Sequence, residues 1–152
     1  MRLRLLVAAL ALAGLGGCAF EQTRTERYVV ARATSGRVVA RVPLPPRGRF
    51  ALSYIHSIYE APGVERFAAR GNGFTLIGLS SPSSAVLDYY GLEGRRSKKH
   101  GWWSLAPASR PRYEELPVIA TDKGRRALVV SGTTVPLFER GRAVHLTLSV
   151  SG

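Results

Sequence analysis

Cysteine and acidic residues are scarce in this chain of 152 residues. Cys18 is the only cysteine, which excludes an intramolecular disulfide. Ten Asp and Glu side chains stand against 22 Lys and Arg, so the formal net charge is +12 at pH 7. This excess favours anionic lipid headgroups or acidic polymers as partners.

The chain after residue 26 also lacks internal repeats, low-complexity tracts and any sustained 3.6-residue apolar period. Short segments rich in β-branched and aromatic residues recur instead, separated by Gly and Pro. This pattern predicts an all-β domain, an antiparallel β-sandwich or partly closed barrel of about eight or nine short strands. Turns are expected at Thr34–Gly36, Gly71–Gly73 and Asp122–Gly124. The segment "SAVLDYY" is read as a strand, and residues 91–112 as a long loop.

The N-terminus "MRLRLLVAALALAGLGGCAF" has two early arginines and an apolar run too short to span a membrane. We therefore predict a signal helix. Leu15-Gly16-Gly17-Cys18 resembles the lipobox of bacterial lipoproteins, which implies cleavage before Cys18 and a diacylglycerol on its thiol. The alternative is an ordinary signal peptide with a chance cysteine. Ala19, compared with known sorting signals, favours the outer membrane over the inner membrane.

These features divide the chain into a signal peptide at 1–17, a lipidated tether at 18–26 and a single β domain at 27–152. The expected location is the periplasmic face of the cell envelope, with the lipid as membrane anchor. A domain of this size buries a sufficient core as a monomer. An exported protein does not routinely meet nucleic acid, so we expect no nucleic-acid partner.

A histidine lies within the apolar alternation of "FALSYIHSIYEAPGVERF" (50–67). If this stretch forms a hairpin around a loop at 60–63, His56 faces Phe67. Glu65 then lies on the same face as His56, one diagonal away and within reach of its imidazole. The hairpin thus predicts a polar cluster of His56, Glu65 and Tyr54.

Three interpretations of this cluster remain open. The first is structural, with Glu65 holding a buried imidazole; the second is a ligand contact in an apolar pocket. The third is a metal site of His56, Glu60 and Glu65, although the sequence has no H-x-H or H-E-x-x-H spacing. Ser57 follows His56 directly and therefore points to the opposite face, which argues against a Ser-His nucleophile. We expect no catalytic residue, metal or cofactor.

The segment "RRSKKHGWW" combines basic residues with adjacent tryptophans. Cations attract anionic headgroups, and indoles favour the membrane interface. This combination predicts an anionic-surface loop; its residues are Arg95, Arg96, Lys98, Lys99, Trp102 and Trp103. The alternative is a solvated charged loop with one tryptophan in the core.

The stretches "YIHSIYEAPGVERF" and "SPSSAVLDYYG" resemble a small exported family, numbered eighteen-fifty among domains of unknown function. The resemblance depends on a His-Ser pair followed by Pro and Glu, here His56, Ser57, Pro62 and Glu65. Members of that family are often encoded near TRAP transporters of the TAXI type. The resemblance therefore implies a periplasmic accessory role, with TRAP components as partners, and implies no activity.

We therefore expect a non-enzymatic accessory or binding module, serving a TRAP-type uptake system, with an unidentified ligand. One alternative is a hydrolase-like enzyme with His56 as general base and Glu65 as its orienting carboxylate. The other is a structural envelope lipoprotein that binds anionic lipid or polymer through its basic loop.

Overall fold

The computed structural model describes residues 26–152 of the chain, and these form two antiparallel β-sheets and one short helix. The predicted signal helix and Cys18 lie outside the described residues. The elements are β1 (Tyr28–Ala33), β2 (Val38–Pro43), β3 (Arg49–Ile55), β4 (Pro62–Arg70), β5 (Gly73–Ser81), α1 (Ser84–Tyr89), β6 (Gly94–Lys99), β7 (Trp102–Pro107), β8 (Arg112–Tyr113), β9 (Glu115–Ala120), β10 (Ala127–Val130), β11 (Thr133–Pro136) and β12 (Val144–Ser151).

The smaller sheet has the order β2-β1-β12-β9. The larger sheet has the order β11-β10-β3-β4-β5-β7-β6, with β8 paired to β5. The described residues therefore contain twelve strands rather than eight or nine, and they form two separate sheets rather than a barrel. The predicted all-β class is confirmed.

The core lies on the face that alternate residues of each strand share. In β3, Phe50, Leu52 and Tyr54 are buried, while the residues between them are partly exposed. Phe50 stacks on Phe67 of β4 at 5.1 Å between ring centroids, and Phe74 of β5 meets both rings edge-on. Burial of each of these aromatic side chains contributes about 1.5–3 kcal/mol.

The strand directions define two ends of the domain. At the proximal end the chain enters at Arg27, whose carbonyl accepts a hydrogen bond from Leu44 N–H at 2.7 Å, and the turns near Gly48 and Gly71 lie at this end too. At the distal end lie the turns at residues 56–61 and 121–126, joined where Ile55 N–H donates to the Gly124 carbonyl at 2.7 Å. Strand β3 connects the two ends, and its seven residues span about 20 Å.

Two parts of the secondary structure correct the expectations from sequence. The segment read as a strand contains α1, which ends at Tyr89, and Gly91 two residues later has a left-handed conformation with φ of +61°. A glycine adopts this conformation without steric cost, so the helix can stop there. Residues 91–112, expected to be a long loop, contain the hairpin β6–β7.

The turns expected at residues 34–36 and 122–124 lie between consecutive strands, and the one at 71–73 ends on the first residue of β5. The hairpin between β3 and β4 has a different register from the expected one. Tyr54 faces Gly63 and Leu52 faces Glu65, so the turn spans residues 56–61 and is longer than expected. The shift is an even number of residues, and Glu65 consequently stays on the inner face of the sheet with Tyr54.

Candidate functional site

The site begins at the turn that follows β3. His56 N–H donates to the Ala61 carbonyl at 2.9 Å, and the His56 carbonyl accepts from Glu60 N–H at 2.8 Å. The imidazole folds back over this turn, and its Nδ1 accepts from the N–H groups of Ile58 and Tyr59 at 3.2 and 3.4 Å. Nδ1 therefore carries no proton, and the neutral ring has its N–H at Nε2. The first role of His56 is to hold the turn.

Aromatic rings surround this imidazole. Tyr59, in the same turn, lies 4.9 Å from it between ring centroids. Tyr89, at the end of α1, meets it edge-on at 4.7 Å, and the Tyr54 ring is 6.4 Å away. His56 is 7% exposed, whereas Tyr59 and Tyr89 are largely open to solvent. The imidazole consequently lies at the boundary between the core and an aromatic surface.

Glu65 does not pair with His56, which corrects the predicted contact. The hydroxyl of Tyr90 donates to Glu65 Oε1 at 2.5 Å. The hydroxyl of Tyr54 lies 2.6 Å from that of Tyr90 and donates to it, because the proton of Tyr90 is engaged with Glu65. Histidine and carboxylate share the inner face of β3–β4, but Tyr90 from α1 occupies the position next to the carboxylate.

The other carboxylate oxygen of Glu65 faces a cation. Arg126, just before β10, places Nη1 3.6 Å from Glu65 Oε2, which is an ion-pair distance but too long for a hydrogen bond. Oε2 is buried and has no hydrogen-bond partner among the described residues. The Arg126 guanidinium also lies over the Tyr54 ring, 5.0 Å from its centroid. The guanidinium is thus positioned by two neighbours, the carboxylate of Glu65 and the aromatic face of Tyr54.

We call Tyr54, Glu65, Tyr90 and Arg126 the buried polar cluster. Burial raises the pKa of Tyr90 far above its usual value, and the neighbouring Glu65 carboxylate raises it further. Burial likewise raises the pKa of Tyr54. Both phenols therefore remain protonated at neutral pH and act as donors towards the carboxylate.

Gly63 explains how the large Tyr54 side chain fits in this cluster. A Cβ at Gly63 would lie 2.3 Å from Cζ of the Tyr54 ring, far inside contact distance. The two residues face each other across β3 and β4, so the ring lies against the bare backbone of its partner. Glycine is required here for close approach rather than for a turn.

The buried polar cluster forms one wall of a cavity of about 450 Å³, which we call the cleft. His56 and Tyr89 line the same space from the turn and from α1, and Ile119 lines it from β9. A second cavity of about 990 Å³ shares the His56 turn and is bordered by Lys123, Arg125 and Arg140. The two cavities together make the distal end concave. Glu60 and Asp122 also line the second cavity, so it carries three cations and two carboxylates.

The sequence predicts Tyr54, His56 and Glu65 as members of the site, and the structure adds Tyr90 and Arg126. The strand predicted for residues 84–90 gives no reason for Tyr90 to reach Glu65. Arg126 is one of many arginines, and its sequence neighbours do not distinguish it. The available signal was the inner-face position of Glu65, because a carboxylate placed among apolar residues requires donors.

The basic residues from the anionic-surface prediction lie on the hairpin β6–β7, which we call the basic hairpin (residues 94–107). Every side chain of β6 is exposed, including those of Arg95 and Lys99. Arg96 pairs with Asp88 of α1 at 2.6 Å, and this contact attaches the basic hairpin next to the cleft. Its two tryptophans differ in their surroundings.

Trp102 is 39% exposed at the tip of the basic hairpin, whereas Trp103 packs against the core. The Lys98 ammonium lies 4.9 Å above the Trp103 ring. Only one of the two indoles is therefore available to a partner. The tip turns at His100 and Gly101, both with positive φ.

The remaining expectations concern metals and membranes. No group of three His, Cys, Asp or Glu residues in the described part of the chain is placed to hold a metal ion. In particular, Glu65 is bonded to Tyr90 rather than turned towards His56 and Glu60. Within residues 26–152, no helix is long and apolar enough to cross a membrane.

Comparison with known proteins identifies a family but no individual relative. No curated protein matches this chain, and no solved structure matches it. A family model matches residues 50–137, which is more than half of the chain. The match runs from the second residue of β3 to just beyond β11 and includes the whole buried polar cluster. The chain belongs to the family described as Domain of unknown function (DUF1850).

Proposed function

We propose that the protein is a non-enzymatic binding module whose cleft holds a small ligand with a carboxylate or phosphate group. The observation that carries this proposal is the position of Arg126 in the cleft wall. Its guanidinium donates no hydrogen bond to the described residues, and its one ion-pair contact is the 3.6 Å approach to Glu65. Its five N–H donors form a planar fork that matches carboxylate and phosphate oxygens.

The surroundings of Arg126 support binding of an organic anion. Glu65 and Tyr54 fix the guanidinium before a ligand arrives, which lowers the entropy lost on binding. Tyr89 and Ile119 offer apolar surface to the rest of the ligand. Lys123, Arg125 and Arg140 in the neighbouring cavity add positive potential along the approach.

The test is a thermal-shift screen of the full chain against small mono- and dicarboxylates and phosphate monoesters at constant ionic strength. We expect at least one compound to raise the melting temperature of the wild type, with the shift lost in Arg126→Met. Arg70→Gln is the matched control, because it removes an exposed cation at the proximal end, away from both cavities. If no anion stabilises the wild type, or if Arg126→Met responds equally, the proposal is wrong.

The proposal also places the domain on the periplasmic face of the envelope, anchored through Cys18, in the service of a TRAP-type uptake system. What supports these parts is the lipobox-like sequence and the family resemblance. Mass spectrometry of the mature protein tests the anchor, because a diacylglyceryl group on Cys18 adds a defined mass that Cys18→Ser abolishes. The position of the gene beside or apart from transporter genes tests the association with uptake.

A further inference from the structure

The exposed apolar side chains of the domain are concentrated at its distal end. Ile58 is 63% exposed and Tyr59 43% in the His56 turn, and Tyr89 is 61% exposed at the end of α1. Trp102 is 39% exposed at the tip of the basic hairpin, and Ile119 is 55% exposed near the end of β9. Single exposed apolar residues are common on any surface, but their restriction to one end is informative.

These side chains are close neighbours rather than scattered ones. The imidazole of His56 touches the rings of both Tyr59 and Tyr89. Tyr89 and Ile119 line the same cleft, and the Arg96–Asp88 pair attaches the basic hairpin to the helix that carries Tyr89. The sixth large exposed hydrophobic among the described residues, Val38, also lies at the distal end, in the outer strand β2.

Positive charge surrounds this apolar centre. On one side is the basic hairpin, with all of β6 exposed. On the other side are Lys123, Arg125 and Arg140 around the second cavity, where they outnumber the carboxylates Glu60 and Asp122. Tyrosine, tryptophan and arginine are the residue types enriched in protein–protein interfaces and in their energetic hot spots. An apolar centre with a charged rim is also how such interfaces are arranged, and the rim charges steer the encounter.

We propose that the distal end is a docking surface for a second protein, which presents acidic side chains around an apolar patch. The shape of the distal end favours a protein over a membrane as the occupant. Two cavities, of about 450 and 990 Å³, open among the exposed apolar and basic side chains. Side chains of a partner protein can fill such cavities, because the centre of a protein interface is packed as closely as a protein interior. A bilayer surface has no fixed protrusions that match them.

The test is site-specific photo-crosslinking of the full-length protein in its own cells. A photoreactive phenylalanine analogue replaces Tyr89 or Trp102 at the distal end, or the exposed Asn72 at the proximal end as a matched control. We expect a discrete protein adduct from the distal positions and none from Asn72. Mass spectrometry of the adduct should show a crosslinked partner peptide rich in Asp and Glu.

Charge reversal tests the chemistry of the partner. Arg95→Glu with Lys99→Glu changes two exposed side chains of β6 and should reduce the adduct at least fivefold, with the circular dichroism spectrum unchanged. An undiminished adduct contradicts the proposal, as do adducts to a second copy of this chain, equal adducts from Asn72, or no adducts at all. Arg126→Lys keeps a cation opposite Glu65 but loses the planar fork. It should leave crosslinking unchanged, so this proposal and ligand binding in the cleft can fail separately.

A lipid partner is the remaining outcome and has its own assay. The full chain with Cys18→Ser is sedimented with vesicles of phosphatidylethanolamine and phosphatidylglycerol. Salt-sensitive binding that the β6 charge reversal abolishes, together with lipid adducts at Trp102, would show that the distal end docks on a membrane and would overturn the protein-partner proposal. We expect no sedimentation with these vesicles.

Discussion

Two ion pairs at the distal end show that a shorter distance does not mean a larger contribution to stability. Arg96 and Asp88 approach to 2.6 Å, with side chains 37% and 58% exposed. Arg126 and Glu65 are 3.6 Å apart, with side chains 22% and 12% exposed. Water screens the first pair, and an exposed pair contributes about 0–1 kcal/mol. In the second pair each charge has lost most of its contact with water and is compensated by the opposite charge. Deleting one of the two residues should therefore lower the free energy of unfolding more than deleting one residue of the exposed pair.

Two adjacent tyrosines show the same contrast. Tyr89 and Tyr90 follow each other at the end of α1, yet Tyr89 is 61% exposed and Tyr90 donates its proton to Glu65. The direction of each side chain around the helix axis decides this difference. Solvent exposure, rather than residue type or spacing, therefore separates the groups that stabilise the fold from those available to a partner.

The largest effect is expected for Glu65→Ala. Removing the carboxylate leaves Tyr90 without its acceptor and Arg126 without its counterion in a partly buried position. We expect the free energy of unfolding to fall by about 3 kcal/mol, measured by urea denaturation at neutral pH. Glu65→Gln keeps a hydrogen-bond acceptor for Tyr90, so its free energy of unfolding should fall by less. Equal losses in the two variants would show that the cluster does not depend on charge.

The second-largest loss of stability is expected for Gly63→Ala, because the added methyl group would overlap the Tyr54 ring. Forcing a side chain out of a packed position costs about 1–3 kcal/mol, and we expect about 2 kcal/mol in the same denaturation assay. The control is the double variant with Tyr54→Leu, which removes the aromatic ring. In that background the glycine substitution should have almost no further effect. A strictly additive double variant would contradict the close approach as the cause.

Much of the sheet structure could be predicted from the sequence, because alternation and turn residues are local signals. The alternating run of Phe50, Leu52 and Tyr54 predicts a strand with one buried face, and the turn at Gly71–Gly73 predicts a hairpin; both are present. The count of strands was too low because "GRRSKK" has no buried face at all. A strand without an apolar side carries no periodic signal.

The candidate site was less predictable, because its contacts join distant parts of the chain. Glu65 on the inner face with Tyr54 follows from side-chain parity, which an even shift in register does not change. The partners of Glu65 do not follow, since Tyr90 and Arg126 come from α1 and from the turn before β10. Imidazole and carboxylate were expected to satisfy each other, but backbone N–H groups and a phenol are their partners instead.

Tyr90→Phe and Tyr89→Phe test whether the two neighbouring phenols differ in their contribution to stability. A hydrogen bond to a charged acceptor contributes about 1.5–3 kcal/mol, so we expect Tyr90→Phe to lower the free energy of unfolding by about 1.5 kcal/mol. Tyr89→Phe changes an exposed hydroxyl and should stay within about 0.5 kcal/mol of the wild type. Equal losses of unfolding free energy in the two variants would show that the Tyr90 hydroxyl does not stabilise the cluster.

The stability of the wild type should also depend on alkaline pH through Tyr90. The folded pKa is raised, so its contribution is complete below the unfolded tyrosine pKa of about 10 and declines as the pH rises above that value. The unfolded phenol ionises there while the folded phenol keeps its proton. Urea denaturation between neutral pH and about pH 11 should therefore show a steeper loss of stability for the wild type than for Tyr90→Phe. Parallel curves would contradict the shifted pKa.

The smallest effect is expected for the surface pair, although it has the shorter contact. Asp88→Asn removes the charge opposite Arg96 at a site where both side chains are exposed. The free energy of unfolding should fall by no more than about 0.5 kcal/mol, and roughly 1 M salt, where the Debye length is about 3 Å, should abolish this difference. A loss comparable to that of Glu65→Ala, unaffected by salt, would mean that α1 needs this contact to hold Tyr90 against Glu65. In that case the ranking by solvent exposure would fail for this domain.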